Sequence, residues 1–261
     1  LQPRWRKRIW LLFSIVFFLQ LILGIAGLGM FLMSGELHLP IPALILAGPL
    51  YRWEFSFMPI LFAASMLALG PAWCSYLCYF GAWDGVASRA RKAPAPFTKW
   101  RNPIRIAILV AVFGAAPAMR VLGVPPLVAT WAGAAFGMGG IAVMLLVSRK
   151  SGVMAHCVAW CPLGLVANTV GRVSPFRVGF SDGCTNCMAC TTACRYDALG
   201  KAQVMARKPG STCTLCGDCI ARCRHDSIGY RFLGLSPESA RRAFIVTAAV
   251  MHTLFIGIAM T

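Results

Sequence analysis

Cys184-Thr185-Asn186-Cys187-Met188-Ala189-Cys190-Thr191-Thr192-Ala193-Cys194 is the stretch that decides how this chain is organised, and the same pattern returns from Cys213 to Cys223 as CTLCGDCIARC. Both copies have the spacing C-x2-C-x2-C-x3-C. They lie in residues 176–232, a polar and basic segment of an otherwise apolar chain. Three closely spaced thiols followed by a fourth are suited to hold the corners of an iron–sulfur cubane.

This spacing is typical of bacterial ferredoxins with two [4Fe–4S] clusters, in which the fourth cysteine of each motif ligates the other cluster. The ligands of cluster one are therefore predicted to be Cys184, Cys187, Cys190 and Cys223. Those of cluster two are predicted to be Cys213, Cys216, Cys219 and Cys194.

Zinc sites are the main alternative, because C-x2-C pairs also bind zinc. A tight third cysteine with a distant fourth, present in duplicate, favours clusters over zinc. Disulfides are disfavoured because we expect this segment on the reducing side of a membrane. Arg195 and Arg224 follow the fourth cysteines, where ferredoxins usually have proline. Each places a cation close to a cluster, which should raise its potential.

The rest of the chain has the composition of a membrane protein. The 261 residues are 58% hydrophobic and 13% charged, with a mean hydropathy of +0.69. A soluble domain carries about 25% charged residues. Intrinsic disorder and a disulfide-stapled secreted domain are excluded by the same composition. A crossing needs about 20 apolar residues, and five segments are predicted to span: 9–33, 57–77, 103–119, 127–147 and 244–260.

Two apolar segments need separate interpretation. The basic start before residue 9 followed by an apolar stretch also resembles a signal peptide, but the stretch is longer than an h-region and no small-residue cleavage site follows Met33. We therefore expect an anchor. Residues 39–51 are broken by Pro40, Pro42 and Pro49. Repeated proline should prevent a continuous helix, so we predict an interfacial or re-entrant segment.

The basic residues predict the orientation. The chain has 25 Lys and Arg against 8 Asp and Glu, a net charge of +17. With the N-terminus in the cytoplasm, only Arg52 and Arg120 fall outside, as the positive-inside rule requires. We predict a multi-pass protein of the bacterial inner membrane, with the N-terminus and ferredoxin domain cytoplasmic and the C-terminus periplasmic. The basic face also suits anionic lipid or a soluble acidic electron carrier. Nucleic-acid binding is disfavoured.

A weak internal repeat follows each of the first two pairs of spans. Both copies read C-x3-C-x-x-G, and their cysteines are Cys74, Cys78, Cys157 and Cys161. The i, i+4 spacing predicts two thiols on one helical face. Three interpretations stay open: a shared metal or iron–sulfur site, a redox-active dithiol, and buried free cysteines. The matching positions of the two pairs favour the shared site.

Two C-x3-C motifs ahead of a double ferredoxin motif resemble the membrane polyferredoxins of the NapH/NosR/MauN type, over roughly residues 1–232. Cys157, Cys161 and Pro162 match the C-x3-C-P of that family, whereas Tyr79 follows Cys78. The resemblance implies a quinol dehydrogenase-type membrane component that passes electrons between the quinone pool and a periplasmic or membrane partner.

Polar residues near the spans are weaker candidates. Glu36, His38 and Glu54 lie in the outer loop with Arg52, where they would suit a quinol or proton site or form a solvated loop. Asp84 and His156 flank the C-x3-C pairs, and His156 would tune or replace a cluster ligand or simply be hydrogen-bonded. His252 in the fifth span with His38 is a weak candidate haem pair. We find no nucleotide or flavin motif.

These observations together predict a mostly α-helical integral membrane protein with a small α+β ferredoxin domain of the bacterial two-cluster type. The predicted units are a first helix pair, a second helix pair, the ferredoxin domain and a C-terminal helix, at 1–88, 89–173, 174–235 and 236–261. The predicted function is an electron-transfer subunit of a respiratory oxidoreductase complex, working with quinone and other redox subunits. A redox sensor or a metalloenzyme maturation factor is the alternative.

Overall fold

The computed structural model describes residues 2–31, 39–54, 57–95, 97 and 99–259, and in these ranges the side chains of 57 and 256–259 are left aside. The chain is mostly helical. Its α-helices are α1 Gln2–Ile25, α2 Leu44–Arg52, α3 Phe57–Leu69, α4 Trp73–Tyr76, α5 Tyr79–Ser88, α6 Arg101–Val121, α7 Pro126–Val143, α8 Arg149–Ser151, α9 Pro162–Val170, α10 Lys201–Met205, α11 Asp218–Arg222 and α12 Pro237–Ala259. The strands β1 Arg177–Phe180 and β2 Ile228–Arg231 form one sheet. Short 3-10 turns at Gly29–Phe31, Gly70–Ala72 and Thr191–Ala193 and π-helical turns at Met144–Ser148 and His156–Trp160 connect them.

Four helices of the described residues are long and apolar enough to cross a membrane, by length and composition: Gln2–Ile25, Met58–Tyr76, Arg101–Val121 and Pro126–Ser151. They overlap the first four predicted spans, although the first helix ends at Ile25, eight residues before the predicted end of its span. The predicted fifth lies within α12, which begins with charged residues and whose last side chains fall outside the described part, so it stays a prediction.

The proline-rich segment after the first span forms the short helix α2, which packs against α6. Pro40 and Pro42 precede this helix, as the sequence predicts. The expectation that each proline interrupts a helix is wrong for Pro49, which lies inside α2 near its end. A helix can absorb one proline there because only a single backbone hydrogen bond is lost. Nine residues rise about 13.5 Å, too little for a crossing of about 30 Å.

The cysteine-rich segment is held between two antiparallel strands. β1 pairs with β2 in the register Val178 opposite Tyr230. Tyr230 is buried and stacks on Phe244 of α12 at 4.7 Å between ring centroids, and Phe244 also contacts the rings of Tyr76 and Phe176. One apolar core therefore joins the end of the second span, the small sheet and α12.

Candidate iron–sulfur centres

The first cavity lies at the surface of the cysteine-rich segment. Its lining includes Cys184, Cys187, Cys190 and Cys223. Cys190 is buried and Cys187 is exposed. Met188, Val204 and Ile228 contribute apolar wall. The structure thus brings together the four cysteines predicted for cluster one, including the fourth ligand from the other motif.

The second cavity lies deeper, with Cys194 and Cys219 buried in its wall. It is lined by Cys194, Cys213, Cys216 and Cys219, the set predicted for cluster two. Burial raises the pKa of Cys194 and of Cys213 to about 12. Thiols in such surroundings need a metal or another positive charge to ionise. The need for a positive charge fits a site whose cysteines ligate a metal centre.

The backbone repeats its conformation around the two cavities. The residues on either side of the second cysteine of each motif have positive φ: Asn186 at 55° and Met188 at 59°, then Leu215 at 53° and Gly217 at 77°. Left-handed residues among such turns direct successive N–H groups into a concavity that favours anions. A side chain as large as Leu215 adopts this conformation only where its surroundings enforce it. Thiolate-ligated clusters are anionic, so the backbone fits them.

Neither cavity is a preformed site for a single metal ion. No three His, Cys, Asp or Glu side chains in the described ranges are placed to hold one. A zinc ion needs its thiolates about 2.3 Å away. The choice between zinc and clusters therefore depends on the metal content of the purified protein.

The C-x3-C cysteines lie in a different local structure from the one predicted. Cys74 is in α4, but Cys78 has an extended backbone and caps α5. Cys157 is in a π-helical turn, and Cys161, also extended, caps α9. The prediction of one helical face is therefore wrong. The helix breaks before each second cysteine, and Pro162 enforces the break at Cys161 because the residue before proline avoids the α conformation.

Both glycines of the C-x3-C-x-x-G repeat are required by the same kind of close backbone contact. A Cβ atom on Gly81 would lie 2.8 Å from the carbonyl oxygen of Cys74, and one on Gly164 would lie 2.5 Å from that of Cys157. Each helix after the motif therefore approaches the first cysteine so closely that only glycine fits. Gly81 also donates its N–H to the Cys78 sulfur at 3.4 Å. N–H donation to a sulfur at a helix start stabilises a thiolate.

The four thiols of this repeat are all buried and lie within electrostatic range of one another: Cys74, Cys78, Cys157 and Cys161. Burial raises the pKa of Cys157 and of Cys161. The structure therefore brings the two predicted pairs into one site, the four-cysteine site.

Charged and polar side chains surround this site. Asp84 is fully buried, and its Oδ2 accepts the N–H of Cys157 at 3.0 Å. Burial raises the pKa of Asp84 to about 6. His156 packs on Phe80 at 5.4 Å, and within the described part of the chain neither ring nitrogen has a hydrogen-bond partner at good geometry. Burial lowers its pKa to about 4.

Arg105 is a residue that the sequence analysis missed. It was counted among loop cations, yet it lies in the second turn of α6 and is only 2% exposed. It is within electrostatic range of Cys74, Cys157 and Cys161. The signal that would have found it is its place inside a predicted span, where a cation is expensive and usually functional.

Of the weaker candidates, the structure describes Arg52, Glu54 and His252. Glu36 and His38 lie outside the described residues. Glu54 is exposed and pairs with Arg52 at 3.5 Å, an arrangement that suits a solvated loop. His252 is half-buried, its Nδ1 lies 3.0 Å from the Ala248 carbonyl oxygen, and its ring contacts Phe13.

The second cavity and the four-cysteine site are in direct contact. Tyr196 lines the cavity, belongs to the same apolar cluster as Cys157, and donates its hydroxyl to the Cys74 carbonyl oxygen at 3.3 Å. Ser75, beside Cys74, donates to the carbonyl oxygen of Thr214, beside Cys213, at 2.7 Å. One aromatic side chain and one hydrogen bond thus join the two sites.

Two arginines fix this contact. Arg6 of α1 donates to the Ser75 carbonyl oxygen at 2.8 Å and to the carboxylate of Asp218 in α11 at 3.1 Å. Arg195 donates to three backbone carbonyls outside the cysteine-rich segment, those of Ser88, Lys92 and Gly152. Its guanidinium thus docks the segment onto the helices, a role that the sequence did not indicate. Arg224, the equivalent residue of the second motif, is exposed.

Comparison with known proteins gives one family match. Residues 53–96 and 130–181 match the family described as 4Fe-4S binding domain. Each segment contains one C-x3-C motif, and the second ends before Cys184. No curated protein and no solved structure matches the chain. The match supports an iron–sulfur protein of the ferredoxin type and suggests electron transfer.

Proposed function

We propose that this chain is a membrane-integral electron-transfer subunit with three iron–sulfur clusters, which moves electrons between the quinone pool and a redox partner in a respiratory complex. Cluster one would be held by Cys184, Cys187, Cys190 and Cys223, and cluster two by Cys194, Cys213, Cys216 and Cys219. The four-cysteine site would hold the third. Bound clusters supply one-electron redox chemistry at each site.

The observation that carries the proposal is the contact between the second cavity and the four-cysteine site. Electron transfer needs redox centres that are close and held at a fixed separation. Tyr196 touches both sites, and the Ser75–Thr214 hydrogen bond ties their backbones together. The two cavities also adjoin, because Cys219 of the second lies within electrostatic range of Cys190 of the first. The three sites therefore form a continuous series.

The third cluster is further supported by the family match. Both matched segments enclose the C-x3-C cysteines and exclude the double ferredoxin motif. The 4Fe-4S description thus bears on the cysteines for which the sequence left three interpretations open. The N–H donated to Cys78 and the buried Arg105 both favour an anionic group at this site over free thiols.

A bilayer location is supported by the outer faces of the span-length helices. Large apolar side chains point away from the protein, among them Leu12 and Ile22 on α1, Val110 on α6 and Trp131 on α7. Water would disfavour so much contiguous apolar surface. Lipid would cover it, with the basic cysteine-rich segment on the cytoplasmic side.

The first experiment is an anaerobic count of iron and acid-labile sulfide per chain of detergent-purified protein. Three [4Fe–4S] clusters predict about 12 iron atoms, and two predict about 8. The double variant Cys78→Ser/Cys161→Ser should lose about 4 iron atoms, and Cys187→Ser should disturb only the first site. A wild-type count near 8 would remove the third cluster. Stoichiometric zinc without iron would overturn the whole proposal.

The second experiment tests the quinone partner. A quinol analogue is added to the protein in proteoliposomes, and reduction of the clusters is followed by EPR. Quinol-dependent reduction supports the electron-transfer role. Its absence, with clusters that chemical reductants still reduce, would favour the sensor or maturation-factor alternative. An acidic soluble carrier should reduce or oxidise cluster one in a salt-sensitive manner.

A further inference from the structure

Arg105 is a buried cation that has no carboxylate partner among the described residues. Its Nε and Nη2 atoms have no hydrogen-bond partner there either. A buried charge is tolerated only when another group compensates it, because desolvation disfavours it strongly. The carboxylate of Asp197 pairs with Arg101, at the start of the same helix as Arg105.

The groups that face Arg105 come from the two C-x3-C motifs. Cys74, Cys157 and Cys161 lie within electrostatic range of its guanidinium, as does Arg101, whose charge has the same sign. A Cβ atom on Gly164 would lie 4.0 Å from the Arg105 Nη2. The helix that Cys161 caps thus runs beside the guanidinium.

We infer that Arg105 is the counter-charge of the group bound at the four-cysteine site, and that it raises the reduction potential of that group relative to the two ferredoxin-type clusters. The inference rests on the proposed function, because it requires a cluster there. A [4Fe–4S] core with four thiolates is negative in both oxidation states, and reduction adds one electron and no proton. A fixed positive charge therefore favours the reduced state. Four protonated thiols would leave Arg105 uncompensated.

The test begins with the iron count and a potentiometric EPR titration of the wild-type protein. Arg105→Met removes the charge at similar length, and Arg105→Lys keeps it. Arg120→Met is the matched control, since Arg120 lies on the same helix and is exposed. We expect the Arg105→Met variant to show one cluster whose ratio of reduced to oxidised form falls about tenfold at the wild-type midpoint, about 59 mV for one electron. The other two clusters and the Arg120→Met protein should keep their potentials, and Arg105→Lys should restore most of the shift.

Each other outcome has a defined meaning. A wild-type count near 8 iron atoms removes the third cluster from the proposed function, and this inference falls with that cluster before any variant is made. A full count of about 12 with an unchanged potential in Arg105→Met overturns only the role of Arg105. Loss of about 4 iron atoms in Arg105→Met but not in Arg105→Lys supports the counter-charge. Loss in both, or an equal shift of all three clusters, would mean that Arg105 acts through packing.

Discussion

Asp218→Asn should loosen the cysteine-rich segment from α1 far more than an ordinary surface substitution does. The Arg6 Nη2 atom lies 3.1 and 3.2 Å from the two carboxylate oxygens of Asp218, and the Lys7 Nζ atom lies 3.2 Å from Oδ2. The side chains of Arg6 and Asp218 are only 3% and 10% exposed. Asparagine would leave the buried guanidinium without a counter-charge.

The magnitude follows from the burial of the pair. Removing one partner of a buried ion pair costs about 3–5 kcal/mol. Because about 1.4 kcal/mol is a factor of ten, the segment should open roughly a hundredfold to a thousandfold more often. The matched control is Asp182→Asn. Asp182 also pairs with an arginine, Arg207, at 2.8 Å, but the side chains are 107% and 42% exposed. Such a pair contributes about 0–1 kcal/mol.

The assay is backbone hydrogen exchange of β1 and β2 in anaerobic detergent-purified protein, read by mass spectrometry. Both variants are compared with wild type at equal iron content. Protection in the sheet should fall by about two orders of magnitude or more in Asp218→Asn and stay close to wild type in Asp182→Asn. Equal protection in both variants would refute the reasoning, because the Arg6–Asp218 pair would then not hold the segment in place.

Three further substitutions test other contacts. Gly164→Ala should lose about four iron atoms, because its Cβ would lie 2.5 Å from a backbone oxygen; Gly114→Ala, which meets nothing within 4 Å, should keep them. Arg195→Ala removes three hydrogen bonds donated by a cation and should destabilise the docked segment by about 2 kcal/mol or more in a urea titration. The control is Arg224→Ala, which should be tolerated because Arg224 is exposed. Equal losses of stability in the two variants would contradict the docking role of Arg195. Tyr196→Leu should slow electron transfer between cluster two and the four-cysteine site in flash-reduction kinetics, and an unchanged rate would remove this side chain from the path.

The sequence predicted the grouping of the eight ferredoxin-type cysteines because the spacing of these cysteines limits which of them can ligate the same cluster. A short turn cannot bring a fourth thiol back to its own three, so Cys194 and Cys223 exchange places, and each lines the cavity of the other motif. Apolar length likewise predicted the first four span-length helices. Both signals are local, since each depends on neighbours along the chain.

The local structure around the C-x3-C motifs could not be predicted in this way. Spacing of i and i+4 implies one helix, but the chain breaks before Cys78 and Cys161 so that each second cysteine caps a new helix. Tertiary packing decides this, through the close approach of Gly81 and Gly164 to the preceding motif. Arg105 is a mixed case. Its place at the start of a predicted span already marks a costly cation, but its burial beside the helix that Cys161 caps depends on the packing of α6 against α9.

The cysteines become more buried from the first site to the third. The proposed electron path therefore runs from the surface of the protein to its interior. Cys187 of the first cavity is exposed, Cys219 of the second is buried, and all four cysteines of the third site are buried at the ends of span-length helices. In the proposed path, a soluble partner would approach the first site most closely, and a lipid-soluble partner would meet the third. The middle site contacts both neighbours, through Cys190 on one side and Tyr196 on the other. Because Arg195 and the Arg6–Asp218 pair hold only the junction between the second and third sites, loosening them should slow that step and leave exchange with a soluble partner unchanged.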